Sequence, residues 1–134
     1  MDTQRKEVSL AQKAKLALKK DALSQSESQA LHTFAEQLQR TYPDQVRQVY
    51  LFGSKARGEA HADSDIDVLI ITESEDRLLR YEIINLASDC SLEYGVLLNP
   101  RIIGVQRWQA KQGFSFYRNI ARDARPVLVE GVFL

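Results

Sequence analysis

Phe52-Gly53-Ser54-Lys55-Ala56-Arg57-Gly58-Glu59-Ala60-His61-Ala62-Asp63-Ser64-Asp65-Ile66-Asp67-Val68-Leu69-Ile70-Ile71 is the stretch that decides how this chain folds. The apolar run from Val49 reads as a short strand that stops at Gly53-Ser54. A turn-prone segment around Ala56-Arg57-Gly58 follows, and a second strand opens at Asp65 and runs to Thr72. After its first three positions that strand is apolar on both faces, the pattern of a strand covered on both sides, so both strands belong in the middle of a sheet.

Outward from this core, Ser24-Gln25-Ser26-Glu27 is a capping box, and Ala30, Leu31, Phe34, Ala35 and Leu38 follow at helical spacing. The pattern predicts a helix over 25–40, stopped at Tyr42-Pro43-Asp44 because the residue before a proline avoids the helical region. Beyond the second strand, Leu78, Leu79, Ile83, Ile84 and Leu86 predict a helix from Glu75 to about Ala87. A third strand is expected from Leu92 to Asn99, ended by Pro100. Two helical segments, 104–112 and 114–122, flank Gly113, and Pro126-Val127-Leu128-Val129 reads as an edge strand. The order of elements specifies a mixed α/β or α+β domain.

With 134 residues, 44% hydrophobic and 27% charged, the chain has the profile of one ordinary domain. Residues 1–22 form a basic N-terminal helix or extension, with Lys13, Lys15, Lys19 and Lys20 among alanines and leucines, and 23–134 form the domain proper. Eighteen basic residues balance eighteen acidic ones, so no overall field draws the molecule to nucleic acid or to an anionic membrane. The apolar run Val68 to Ile71 is far below the ~20 residues of a membrane helix, and the charged N-terminus is unlike a signal peptide. A soluble, cytoplasmic protein is expected. Cys90 has no second cysteine to pair with, and with only His32 and His61 it cannot build a structural zinc site.

The chemistry lies in the central stretch. Gly53 permits close approach of backbone to a ligand, and the N–H groups after it, with the Ser54 hydroxyl, suit a phosphate. Residues i and i+2 of a strand share a face, so Asp65 and Asp67 present two carboxylates together while Ile66 turns away. Such a pair repels itself unless a cation intervenes. Oxygen-only ligands select a hard ion such as Mg²⁺, which completes its shell with waters and substrate phosphates. A phosphate cradle beside paired carboxylates therefore implies a metal-bound nucleoside triphosphate.

This arrangement resembles the signature of the DNA polymerase beta-like nucleotidyltransferase superfamily: Gly-Ser, about ten residues, then Asp-x-Asp. Here the ten residues Lys55 to Ser64 separate Ser54 from Asp65, and the flanks Ala56-Arg57-Gly58 and Ser64-Asp65-Ile66-Asp67-Val68 are also similar. The size and the segment Phe116-Tyr117-Arg118-Asn119-Ile120 resemble the minimal nucleotidyltransferases that serve as antitoxins of HEPN-domain toxins. The resemblance spans roughly residues 25 to 130. It implies a central mixed sheet flanked by helices, and transfer of a nucleoside monophosphate, AMP from ATP, to a hydroxyl. Gly53, Ser54 and Arg57 would bind the nucleotide, and Asp65 and Asp67 would hold Mg²⁺ or Mn²⁺. In the family a third carboxylate on the next core strand completes a two-metal site. Glu93 is the expected third carboxylate, with Asp89 the alternative; if neither reaches the metals, the domain would bind nucleotide and transfer slowly or not at all. The implied acceptor is a toxin protein; the alternatives are an antitoxin that acts by occlusion and an aminoglycoside-type enzyme.

Other residues read more plainly. From Arg101 to Arg125 six basic residues meet a single acid, Asp123, as expected of a solvated helix face, although Lys111, Arg118 or Arg122 could face the nucleotide or an acidic partner. Trp108, Phe114, Phe116 and Tyr117 read as core, His61 as an exposed loop residue and Cys90 as a small buried one.

Overall fold

A computed structural model of the chain describes residues 23–59 and 65–127. The readings made for residues 1–22, for His61 and for Leu128-Val129 lie outside the described residues. Helix α1 (Gln25–Thr41) is capped as the sequence requires: the Ser24 hydroxyl accepts from the Glu27 amide, and the Ser24 amide donates to the Glu27 carboxylate at 2.9 Å. The chain continues through strand β1 (Val46–Phe52), the short helix α2 (Gly53–Arg57) and strand β2 (Ile66–Thr72). Helix α3 (Arg77–Tyr94), strand β3 (Leu98–Gly104), helices α4 (Val105–Ala110) and α5 (Ser115–Asp123), and strand β4 (Arg125–Pro126) complete it.

The sheet order is β3-β2-β1-β4, so the two strands expected in the middle are there. β1 pairs antiparallel with both β2 and β4, and β2 pairs parallel with β3, which makes the sheet mixed. Alternation along the strands divides the side chains into two layers. Val49, Leu51, Ile66, Val68, Ile70, Leu98 and Ile102 pack with α1 and α3. Leu69, Ile71 and Ile103 pack on the other face with Ile120 of α5, joined by the partly buried Tyr50, Phe52, Trp108 and Tyr117. Among the described residues no helix is long and apolar enough to cross a membrane.

The third strand is displaced from its expected place. The stripe Leu79, Ile83, Ala87, Cys90 keeps the helical period past Ala87, so α3 runs on to Tyr94 and ends on Gly95 in the left-handed conformation (φ 65°). β3 therefore begins at Leu98, and Pro100 lies inside it instead of ending it. The sheet tolerates this because β3 is an edge strand, where an absent N–H removes no obligatory ladder bond. Ser91 fixes the corner, its hydroxyl donating to the Ala87 carbonyl at 2.7 Å and accepting from the Leu98 amide at 3.0 Å. The core reading also fails for two aromatics: Phe114 and Phe116 are 58% and 45% exposed.

A buried ion pair joins α1 to α2. The Lys55 ammonium, 1% exposed, lies 2.8 Å from a Glu27 oxygen. Burial opposes ionisation of Glu27, but the hydrogen bond from Lys55 and those at Ser24 outweigh it and hold the carboxyl below the usual range. Glu27 thus serves the helix cap and the ion pair at once. Glu27→Ala strips Lys55 of this carboxylate and α1 of half its capping box. A loss of up to about 3–5 kcal/mol in a urea unfolding titration is expected, because the truncation takes a carboxylate away from a buried charge. Replacing Glu27 and Lys55 together by Leu and Met should recover most of it.

Candidate active site

The site is built where β1 ends and β2 begins. Antiparallel register places Phe52 opposite Asp67, and parallel register places Asp67 beside Asn99, so the three form one row across the sheet. All three project on the α5 side, because their neighbours Leu51, Ile66, Val68 and Leu98 fill the α1/α3 core. Asp67 is half-buried, and Asp65, just ahead of β2, is exposed. Ile66 between them is buried in the opposite layer, as the alternation of Asp-Ile-Asp demands.

Gly53 turns the chain from β1 into α2 with φ 76°, a conformation that L side chains rarely adopt. A Cβ at this position would stand 2.3 Å from Asp67 Oδ2. Backbone and carboxylate therefore approach more closely than any side chain at 53 would permit. On the other side, the Asn99 amide Nδ2 donates to Asp67 Oδ1 at 2.9 Å. Ser54, next in α2, is half-buried, and its hydroxyl meets no hydrogen-bond partner among the described residues. The structure thus brings Gly53, Ser54 and Asp67 together at one end of the sheet, with Asp65 at the threshold of β2.

Glu93 and Asp89 are not part of this arrangement. Both lie on α3 and are exposed, and α3 packs through Leu79, Ile83, Ala87 and Cys90 against the sheet face opposite to Asp67. Glu93 was expected on a strand and stands in a helix, since the third strand starts five residues after it, at Leu98 rather than Leu92. The position next to Asp67 on that strand is Asn99. Among the described residues no group of three His, Cys, Asp or Glu side chains could hold a metal ion together. As oxygen donors, Asp65 and Asp67 are the kind of ligand a hard cation takes. Asp67 has no ion pair among the described residues, and its only hydrogen-bond donor there is a neutral amide.

Arg57, expected on the nucleotide, is engaged elsewhere. Its guanidinium bonds Asp123 at 2.7 Å and Glu59 at 3.1 Å, tying α2 to the end of α5. These hydrogen bonds, the one it donates to Asp123 foremost, raise its already high pKa. Burial works against the charged Asp123, but Arg122 and Arg57 prevail and keep its carboxyl below the usual range. Arg125 adds a further tie, its Nε donating to the Ala56 carbonyl at 2.7 Å.

Of the basic run, Arg122 is spent on Asp123, and Lys111 stands over the Phe114 ring at 4.9 Å. Arg101, which the sequence reading did not single out, lies two residues past Asn99 on the same face, over the Phe116 ring at 5.2 Å. Its place, and that of Asn99, depends on where β3 starts; reading Gly95 as a helix cap would have shown both.

The nucleotidyltransferase domain family model matches residues 31–119, which takes in the elements from α1 to α5 apart from the first six residues of α1 and the last four of α5. The chain belongs to that family and is a nucleotidyltransferase. It is 32% identical over 100 residues to "Putative protein adenylyltransferase MJ0604" of Methanocaldococcus jannaschii, covering 75% of this chain and 96% of that one. To "Putative protein adenylyltransferase MJ0141" of the same organism it is 39% identical over 70 residues, 52% of this chain and 71% of that one. Among solved structures, a toxin-antitoxin crystal structure with AMP-PNP aligns over 75% of this chain and 74% of that chain, at 18% identity and a TM-score of 0.48.

Gly53→Ala and Gly95→Ala separate conformation from contact. Both glycines have positive φ, and each substitution costs roughly 1–2 kcal/mol of backbone strain. A Cβ at Gly95 meets nothing within 4 Å, whereas one at Gly53 collides with Asp67. Both variants should lower the thermal midpoint, and titration calorimetry should find Mg-ATP binding retained in Gly95→Ala and lost in Gly53→Ala. The Arg57–Asp123 pair carries a pH signature. Since folding lowers the Asp123 pKa, the pair stabilises the protein fully above the unfolded value and loses its effect as pH falls through the folded one. Asp123→Asn should therefore be less stable than the parent at about pH 6 and converge with it only once the pH has fallen through the lowered pKa of folded Asp123, in urea titrations.

Proposed function

We propose that the chain transfers AMP from ATP to a hydroxyl of a partner protein, with Mg²⁺ or Mn²⁺ held by Asp65 and Asp67. The observation that carries this reading is the apposition of the Gly53 backbone and the Asp67 carboxylate, which would bring the phosphates held by the turn next to the cation held by Asp67. A divalent cation bound there supplies neutralisation of the phosphate charge and Lewis-acid polarisation. The residues of the chain orient the reactants. The turn at Gly53 and the Ser54 hydroxyl would hold the outer phosphates, so that pyrophosphate leaves in line with the attacking hydroxyl. Asp65 and Asp67 would hold the cation, and through it the triphosphate, at the end of β2, next to the open face that carries Asn99 and Arg101.

A protein acceptor is supported by the two relatives, both of which bear the name of protein adenylyltransferases. A HEPN-type toxin is the acceptor we favour, on the likeness of the chain's size and of its segment Phe116-Tyr117-Arg118-Asn119-Ile120 to antitoxins of such pairs. The test uses α-labelled ATP, Mg²⁺ and a co-expressed HEPN-type toxin. Label should move to the toxin, and Asp65→Asn combined with Asp67→Asn should cut transfer by ~10²-fold or more while the protein stays folded. Transfer that survives this double substitution would remove the carboxylates from the reaction. Toxin neutralised without any label would replace transfer by occlusion, a reading that Asn99, standing where a third carboxylate was sought, makes specific.

A further inference from the structure

Asp67 is held from two sides by groups of different character. Oδ2 faces the Gly53 backbone, with room for no side chain between them. Oδ1 receives the Asn99 amide across the parallel ladder, at 2.9 Å and in direct register. An ionised carboxylate only accepts, so chemistry alone requires the amide nitrogen, and not its oxygen, to face Asp67. The positive end of that amide lies on the β3 side of Asp67. A second cation bridged by this carboxylate would have to approach on the Oδ1 side, where the Asn99 amide already occupies one of the two lone-pair directions and presents its positive end. It would also need a further anionic ligand from the neighbouring strand. Asn99 supplies no charge, and among the described residues no third acid joins the pair.

We propose that Asn99 is a positioning residue that orients Asp67 for one divalent cation and closes the β3 side of the site to a second. The site would then take the single cation that accompanies the triphosphate, with Asp65 and Asp67 as its ligands from the protein. This rests on the metal-nucleotide reading above but not on the identity of the acceptor.

The test counts Mn²⁺ by electron paramagnetic resonance and calorimetry on the full chain, saturated with α,β-methylene-ATP so that no turnover occurs. Wild type should bind about one Mn²⁺ per chain, against the about two of a two-metal site. Asn99→Ala should still bind about one, several-fold more weakly, with little change in thermal midpoint, since Asn99 is exposed and packs nothing away. Asn99→Asp places a carboxylate beside Asp67. Its midpoint in chelator should fall below wild type, from like-charge repulsion, and recover on adding Mn²⁺, with a second Mn²⁺ bound. An amide of merely structural value would give no such metal-dependent recovery. About two Mn²⁺ in wild type, or an Asn99→Asp protein with no added Mn²⁺ and no metal-dependent midpoint, overturns the proposal. Should Asn99→Asp fail to fold, the wild-type count decides alone. No Mn²⁺ bound to wild type would overturn the metal-nucleotide reading and this inference together, whereas failure to label a given toxin touches neither count.

Discussion

The contact between the Gly53 backbone and the Asp67 carboxylate is the constraint to which the rest of the domain is fitted. It needs β1 and β2 antiparallel and in a register that sets Phe52 against Asp67, because a slip of one residue would turn Asp67 into the α1/α3 core and Val68 out of it. It needs a left-handed turn at 53 and an amino acid with no side chain there. A buried β2, hydrogen-bonded on both sides, gives the carboxylate a rigid base, which is what a group meant to meet charge in a fixed geometry requires.

Helix α2 is too short to stand on its own hydrogen bonds, and it is fixed by polar ties from both layers. Lys55 reaches back to Glu27 under α1, while Arg57 reaches out to Asp123 at the end of α5, and Arg125 binds the Ala56 carbonyl from β4. Two basic residues two positions apart thus face opposite ways and hold the turn between them. The ties differ in kind. The Glu27–Lys55 pair is buried and costly to break, whereas the Arg57–Asp123 pair lies near solvent and is open to acid and salt. In this way the segment after Gly53 gains a fixed position without a hydrophobic anchor larger than Ala56.

The sheet also divides labour between its faces. One carries the large aliphatic core under α1 and α3, and there the acids Asp89 and Glu93 are exposed on the outer helix. The other is thinner, covered by α4 and α5 over part of its length, and leaves the row Phe52, Asp67, Asn99 at one end. Arg101 over Phe116 lies beside that row on β3. The candidate site lies where the covering layer stops, so its carboxylates stay accessible while Asp67 remains part of a packed strand.

Much of this was legible in the order of the residues. The capping box at Ser24, the two central strands, the Gly-Ser turn and the Asp-x-Asp pair are local features, each set by spacing within a few residues, and period and turn chemistry suffice to read them. The helix-to-strand boundary near Gly95 was not read correctly, since an exposed Leu92 and a strand-like Val96-Leu97-Leu98 compete with a helical stripe that only packing on the sheet settles. That boundary then moved the neighbour of Asp67 from Glu93 to Asn99. Nor does spacing tell that Lys55 is buried against Glu27, or that Arg57 is spent on Asp123, 66 residues away. The sequence by itself determined which residues could bind phosphate and cation, because those depend on side-chain chemistry and short spacing. Only the tertiary structure decided which acids face the site and which face away, because strand register and the side of the sheet on which a helix packs are set by contacts between residues far apart in the chain.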